Sequence, residues 1–207
     1  MDFVMPAVGG NQKVKKDEQK AMKKDELIAL FSKKPLFTNR TVLRPMSEIE
    51  LNDFLTHAAC SMSVAGTELE GTFREKCKEQ ILSETEISFS IHLKEDDKYI
   101  GYFELKGLDS APEIGIDLIE DYQKQGIGFE VCRAAIDYVF DNTDITTLKY
   151  NCFRSNLASL KLADRLGAIK ITEKVLFEKL KGAELSQEII DESAAFDLIV
   201  HEIRKQN

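Results

Sequence analysis

The run Asp117-Leu118-Ile119-Glu120-Asp121-Tyr122-Gln123-Lys124-Gln125-Gly126-Ile127-Gly128 holds the residues best placed to do chemistry. An apolar strand pattern leads into a short polar loop, and the loop leads into a helix pattern with two glycines at its start. Without a Cβ, a glycine lets a ligand approach the backbone closely. The first turn of a helix leaves its N–H groups without partners and carries about half a positive charge. Loop and helix together make a cradle for a diphosphate, and Lys124 adds a mobile cation at its rim.

Three phosphate-binding designs compete for these glycines. A P-loop needs GxxxxGK[ST], and the chain has no such run. A dinucleotide fingerprint needs a glycine or alanine at position 131, where Val131 stands, and the preceding strands do not build a βαβ array. The remaining pattern is Q-x-x-G-x-G, Gln123 to Gly128. A second element follows one strand later, Asn156-Leu157-Ala158-Ser159-Leu160-Lys161-Leu162-Ala163-Asp164-Arg165-Leu166-Gly167, of the form N-x-x-S-x-x-x-x-x-x-L-G.

With both elements in this order, the chain resembles the GNAT acetyltransferase superfamily. The Asn-x-x-Ser form is similar to the branch that includes the ribosomal-protein N-terminal acetyltransferases. The resemblance spans roughly residues 38–203 and is strongest over 113–167. It implies an α/β (α+β) fold with a mixed, mostly antiparallel seven-stranded sheet flanked by helices. It implies acetyl-CoA as cosubstrate, a primary amine as acceptor (small molecule or peptide), and no metal. By position, backbone groups of Ile116, Asp117 and Leu118 would bond the pantetheine arm in a slot between two parting strands. The N–H groups of Lys124, Gln125, Gly126, Ile127, Gly128 and Phe129, behind Gln123, would hold the diphosphate. Asn156 would contact the coenzyme near the pantetheine, and an N–H near Leu118 would stabilise the oxyanion. A homodimer is also compatible with the resemblance.

The acid and base depart from the family pattern. Many members carry a tyrosine seven residues after the asparagine to protonate the leaving thiolate, and here that position is Ala163. Ser159 stands where the ribosomal-protein branch carries a serine proposed for that role. One usual base position is Asn151, which cannot take a proton, whereas Glu113 resembles a base site used elsewhere in the family. These departures keep open a second reading, a coenzyme-A-binding sensor or scaffold without turnover. A third, a nucleotide-binding protein using the Gly126–Gly128 loop, predicts protection by ATP or NAD. Of the three histidines, His92 falls on the polar strand face and reads as solvated. His57 reads as a helix-end residue, His201 lies in the last strand, and the three are too dispersed for a metal. Cys152 reads as a buried structural thiol.

The elements that must position these residues can be traced by periodicity. Helix formers dominate 12–33, with Leu27, Ile28, Leu30 and Phe31 giving an apolar side, and Lys34-Pro35 stops that helix. Residues 40–44 read as a strand closed by Pro45. Ser47 and Glu50 form a capping box for a helix through about Thr56, and 67–82 is a second helix. Alternation over 87–93 marks a half-buried strand, 99–105 its hairpin partner, and 113–119 another strand. A helix at 126–141, a strand at 148–153 and a helix at 157–166 ended by Gly167 follow. Strands at 169–180 and 196–203, with a short helix at 185–190 between them, close the sheet.

The 207 residues divide into a Lys-rich helical extension, 1–35, and an acetyltransferase domain, 36–207. A net charge of −8 argues against nucleic acid as a partner and suits a cationic acceptor. No apolar run reaches the about 18 residues of a membrane span. The four cysteines lack CxxC spacing and read as reduced, so the expected compartment is the cytoplasm.

Overall fold

A computed structural model describes residues 24–33, 36–47, 49–61, 72–83, 85–108, 112–175, 194 and 197–206. Its centre is one eight-stranded sheet in the order β1-β2-β3-β4-β5-β6-β8-β7. The strands are β1 (Leu36–Phe37), β2 (Thr41–Pro45), β3 (Glu86–Leu93), β4 (Tyr99–Lys106), β5 (Glu113–Leu118), β6 (Thr147–Phe153), β7 (Ile169–Lys174) and β8 (Leu198–Arg204). All neighbours are antiparallel except β5 and β6. The eighth strand is the two-residue β1, too short to leave a periodic signal. Pro45 does not close β2 but pairs within it, opposite Phe89. The last strand does not extend the sheet. It inserts as β8 between β6 and β7. The short helix expected at 185–190 lies outside the described residues.

Two helical layers cover the sheet. On one face lie α1 (Lys24–Lys33), α4 (Ile127–Asn142) and α5 (Leu157–Leu166); α2 (Leu51–Ser61) and α3 (Thr72–Leu82) form a separate cluster. In α4 the residues Ile127, Val131, Ala135, Tyr138 and Val139 are buried, as a 3.6-residue period requires. Residues 1–23 lie outside the described residues. The described turns of the N-terminal extension pack on their own chain, where Phe31 meets the rings of Phe89 at 4.3 Å and Tyr138 at 4.5 Å. Leu51, Phe54, Leu55, Cys77 and Ile81 form a second small core with Tyr102 against it.

Covering both faces buries β3 almost throughout rather than by alternation. His92 is therefore not solvated. It is 7% exposed, and its Nδ1 lies 2.9 Å from the Asp97 carbonyl. The helix expected to end near Thr56 runs on to Ser61, so His57 is an internal residue at 5% exposure. The Ser47–Glu50 box forms as a turn before that helix, with the Ser47 N–H and hydroxyl both donating to Glu50 Oε2, at 3.0 and 2.6 Å. Cys77, Cys132 and Cys152 are free and buried, and burial pushes the thiol of each upward in pKa.

Candidate functional site

The parallel contact of β5 with β6 covers only Glu113 with Lys149 and Ile114 with Tyr150, after which the strands part. The Ile119 N–H donates to Ile100 of β4 at 2.9 Å. Alternation along a strand then turns the amides of Ile116 and Leu118 to the opposite edge, towards β6, where the ladder has ended. Gly101 fixes this strand end. At φ 153°, it lies where a Cβ would come within 2.3 Å of the Asp117 carbonyl oxygen, so β4 and β5 approach closely beside Asp117 and Leu118. At the end of β5 the Gln123 side-chain amide donates to the Leu118 carbonyl at 2.7 Å.

A 3-10 turn at Glu120–Tyr122 and the loop after it deliver the chain to α4. Gly126, the N-cap, takes φ 82°, a left-handed conformation that costs glycine little. The Glu130 N–H closes the first helical bond on Gly126 O at 3.1 Å, which leaves the amides of Ile127, Gly128 and Phe129 without intrahelical partners. Arg40 steadies the loop from outside. Its Nη1 donates to the Gln125 carbonyl at 3.1 Å while its Nε pairs with Glu130 at 2.8 Å. Burial works to raise the Glu130 carboxyl, but hydrogen bonds from Thr38 and Arg40 outweigh it and hold the group below the ordinary carboxylate range.

The two sequence elements meet in one groove of about 560 Å³. Ile116, Asp117, Leu118, Gln123, Lys124, Gly126, Gly128 and Phe129 line one wall, and Asn156 and Ser159 contribute from the other. Gln125 and Ile127 belong to the same loop and first turn but do not line it. Asn156 caps α5, its Oδ1 accepting from the Ser159 N–H at 3.0 Å, so only its amide donor is left to turn towards a ligand. The Ser159 hydroxyl interacts with the phenol of Tyr150 on β6, a ring that burial pushes up to about 12 in pKa against the pull of Ser159. Glu113 is not part of the groove. It sits at the far end of β5, about 10 Å along the strand from Ile116, and its carboxylate accepts a hydrogen bond from Asn151.

Several lining residues carry no motif and were missed in the sequence. Lys161 and Arg165, one helical turn apart on α5, add two cations to the groove, and Arg165 lies 4.2 Å over the Phe129 ring. Their i, i+4 spacing on a helix was the available signal. A second recess of about 770 Å³ shares Leu118 and Gln123 with the groove and is otherwise lined by Asp53, Thr56, His57, Lys98, Tyr99, Ile119 and Glu120. His57 Nε2 lies 3.6 Å from Asp117 Oδ2, and its Nδ1 lies 3.4 Å from the Tyr99 hydroxyl. Burial lowers the His57 pKa below the imidazole range, against the Asp117 carboxylate and the Leu118 carbonyl, which pull it up. No local signal marked this histidine, because its partners lie on strands more than forty residues away.

The groove fits a diphosphate ester carrying an extended arm. Two helix N-termini and three cations face it, and β5 offers an open strand edge beside them. Gly128 has no positive φ, and a Cβ there would meet Leu118 and Ile116 at 3.8 and 3.9 Å, an ordinary contact. The fold does not need a glycine at 128, whereas close approach of a ligand to the amides does. Among the described residues, no three His, Cys, Asp or Glu side chains are grouped to hold a metal. No helix among them is long and apolar enough to cross a membrane.

Comparison with known proteins agrees with this geometry. The structure is similar to a GNAT-family acetyltransferase from Bacillus anthracis, with a TM-score of 0.62 and 14% identity over 82% of this chain and 98% of that one. It is similar to spermidine N-acetyltransferase from Vibrio cholerae in complex with CoA and spermine, with a TM-score of 0.60 and 16% identity over 79% and 95%. It is also similar to Mycobacterium smegmatis RimJ in complex with CoA-disulfide, with a TM-score of 0.59 and 12% identity over 82% and 89%. At these identities the likeness speaks for the fold alone. No curated protein matches the chain in sequence. The family profile for the acetyltransferase (GNAT) domain matches residues 40–169, well over half of the chain, so the protein belongs to the GNAT acetyltransferase family and is by that membership an acetyl-CoA-dependent N-acetyltransferase.

Proposed function

We propose that the protein transfers the acetyl group of acetyl-CoA to a primary amine, on a small molecule or a peptide, by direct attack with both substrates bound. The observation that carries this reading is the meeting of groove and recess at Leu118 and Gln123. One compartment suits the donor and the other suits an acceptor, and they share a wall at the strand edge.

In this reading the amides of Lys124 to Phe129 hold the diphosphate, with Lys124, Lys161 and Arg165 around it. The edge amide of Ile116 pairs with the pantetheine arm as an added strand would. The Leu118 N–H is the donor aimed at the thioester oxygen, a preorganised contact worth about 3 kcal/mol where charge develops. Asn156 orients the first turn of α5. Ser159 passes a proton to the departing sulfur, with the Tyr150 phenol behind it to replace that proton. Burial keeps Tyr150 protonated at neutral pH, which suits a donor. Glu113, held by Asn151 outside the groove, takes no part in this scheme.

The test is release of free thiol when the protein is mixed with acetyl-CoA and a panel containing spermine and a seryl peptide. Thiol release dependent on an amine supports transfer. Tight CoA binding without release for any amine favours a binding module, and protection against unfolding by ATP or NAD but not by CoA favours a nucleotide site.

A further inference from the structure

We propose that Tyr99, His57 and Asp117 form a proton relay that deprotonates a cationic amine held in the recess behind Leu118. This deepens the acetyl-transfer reading and rests on it. The relay begins with the placement of a polar ring on an apolar helix face. Leu51, Phe54 and Leu55 turn α2 inwards, and His57, three residues after Phe54, follows them into the interior. Packing alone would be served by a leucine, since a buried ring nitrogen without a partner is destabilising. Among the described residues, His57 Nε2 has no hydrogen-bond partner, and the Asp117 carboxylate stands 3.6 Å away. The Tyr99 hydroxyl lies 3.4 Å from Nδ1. Both contacts are loose, as catalytic hydrogen bonds often are before substrate binds.

The order of groups gives each nitrogen one role. Asp117 favours the tautomer with hydrogen on Nε2, which leaves the Nδ1 lone pair to face Tyr99. Burial raises the Tyr99 pKa well above the usual phenol range, so the hydroxyl passes a proton through rather than surrendering one. An ammonium in the recess gives one proton to Tyr99 Oη while the hydroxyl proton moves to His57 Nδ1. The imidazolium so formed is balanced by Asp117 and discharges to solvent. Of the two N–H hydrogens then left on the neutral amine, one stays on the amide and one is lost to solvent as the C–S bond breaks. That loss balances the proton that Ser159 gives the sulfur and that the Ser159–Tyr150 pair takes back from solvent.

The charged and titratable surroundings agree with a cation. Asp53 on α2 and Glu120 after β5 line the recess, and Asp117 stands beside the His57 ring, on the wall of the neighbouring groove. Tyr99 and Tyr102 of β4 face His57 edge-on at 6.0 and 5.5 Å. Lys98 also borders the recess, with its Nζ 5.2 Å from the centre of the Tyr122 ring.

Ring-nitrogen NMR on the full chain tests the relay without knowledge of the acceptor. The chain has three histidines, so His57→Gln assigns the signal. The expected result is a neutral His57 at pH 7 with hydrogen on Nε2, titrating below the ordinary range, and titrating lower still in Asp117→Asn. Hydrogen on Nδ1, or titration at or above the ordinary value, would overturn the relay. Kinetics with spermine and a seryl peptide then read the chemistry. Tyr99→Phe and His57→Gln should each lower kcat by about 100-fold or more, as loss of a general base does. His57→Gln should also remove the acid limb of the kcat–pH profile, while calorimetry shows unchanged CoA affinity. Full kcat in both variants would refute the relay and leave acetyl transfer standing. No thiol release by the wild type with any amine would refute both.

Discussion

Replacing Gly128 with alanine should strengthen the fold and weaken coenzyme binding, two effects of opposite sign from one methyl group. Gly128 is the second residue of α4 and has no positive φ. Alanine in a helix is favoured over glycine by up to about 1 kcal/mol. The added Cβ would find Leu118 Cδ1 at 3.8 Å and Ile116 Cδ1 at 3.9 Å, so it packs without a clash. For a chain of this size each kcal/mol raises Tm by about 2–4 °C. In the proposed binding mode the same methyl stands where the diphosphate reaches the amides. A lost hydrogen bond to a charged group costs about 1.5–3 kcal/mol, or roughly tenfold to a hundredfold in Kd. Gly128→Asp adds like-charge repulsion of about 1–4 kcal/mol at about 4 Å, depending on the local dielectric. Thermal unfolding without ligand and calorimetric titration with CoA read the two effects separately. A lower Tm for Gly128→Ala, or CoA affinity kept within about twofold in both variants, would contradict this role of Gly128.

Gly101→Ala should destabilise the chain by about 1–3 kcal/mol, because its Cβ would lie 2.3 Å from the Asp117 carbonyl oxygen; an unchanged midpoint in urea would contradict this. Asn156→Ala removes the cap on the Ser159 N–H and should cost about 1 kcal/mol, read as a fall in Tm together with weaker CoA binding. The Glu130 carboxyl is held below its unfolded pKa, so its contribution is present above that value and fades as pH falls through the folded one. Glu130→Gln should therefore be less stable at pH 7 and show a shallower acid loss, measured by Tm between neutral and acid pH. His57 has the opposite charge and also a lowered pKa. The unfolded chain takes the proton first, so stability should fall as pH drops below the ordinary histidine value, and His57→Gln should flatten that slope.

The elements around the groove beside β5 were the most legible in the sequence, because their signals are local. Asn156 and Gly167 bracket α5 as N-cap and left-handed C-cap, and the helix runs between them as expected. The strand, loop and helix from Glu113 to Asn142 follow from a change of period and two glycines. The place of β8 between β6 and β7 was not legible, since it depends on pairing across the sheet rather than on local pattern. The burial of His92 and the interior place of His57 were not legible for the same reason. Alternation in β3 cannot reveal a second helical layer over its polar face, and His57 stands within that layer, on α2. The pairing of Ser159 with Tyr150 likewise needs β6 beneath α5 to bring the two together.

Acetyl transfer as proposed requires that the amides at the start of α4 and the parted edge of β5 hold acetyl-CoA. Titrating 15N-labelled protein with acetyl-CoA and following each amide tests it most directly. The largest shifts are expected at Ile116, Leu118, Lys124 to Phe129 and Leu157 to Ser159. Saturating shifts confined to other regions, or none at millimolar acetyl-CoA, would contradict it.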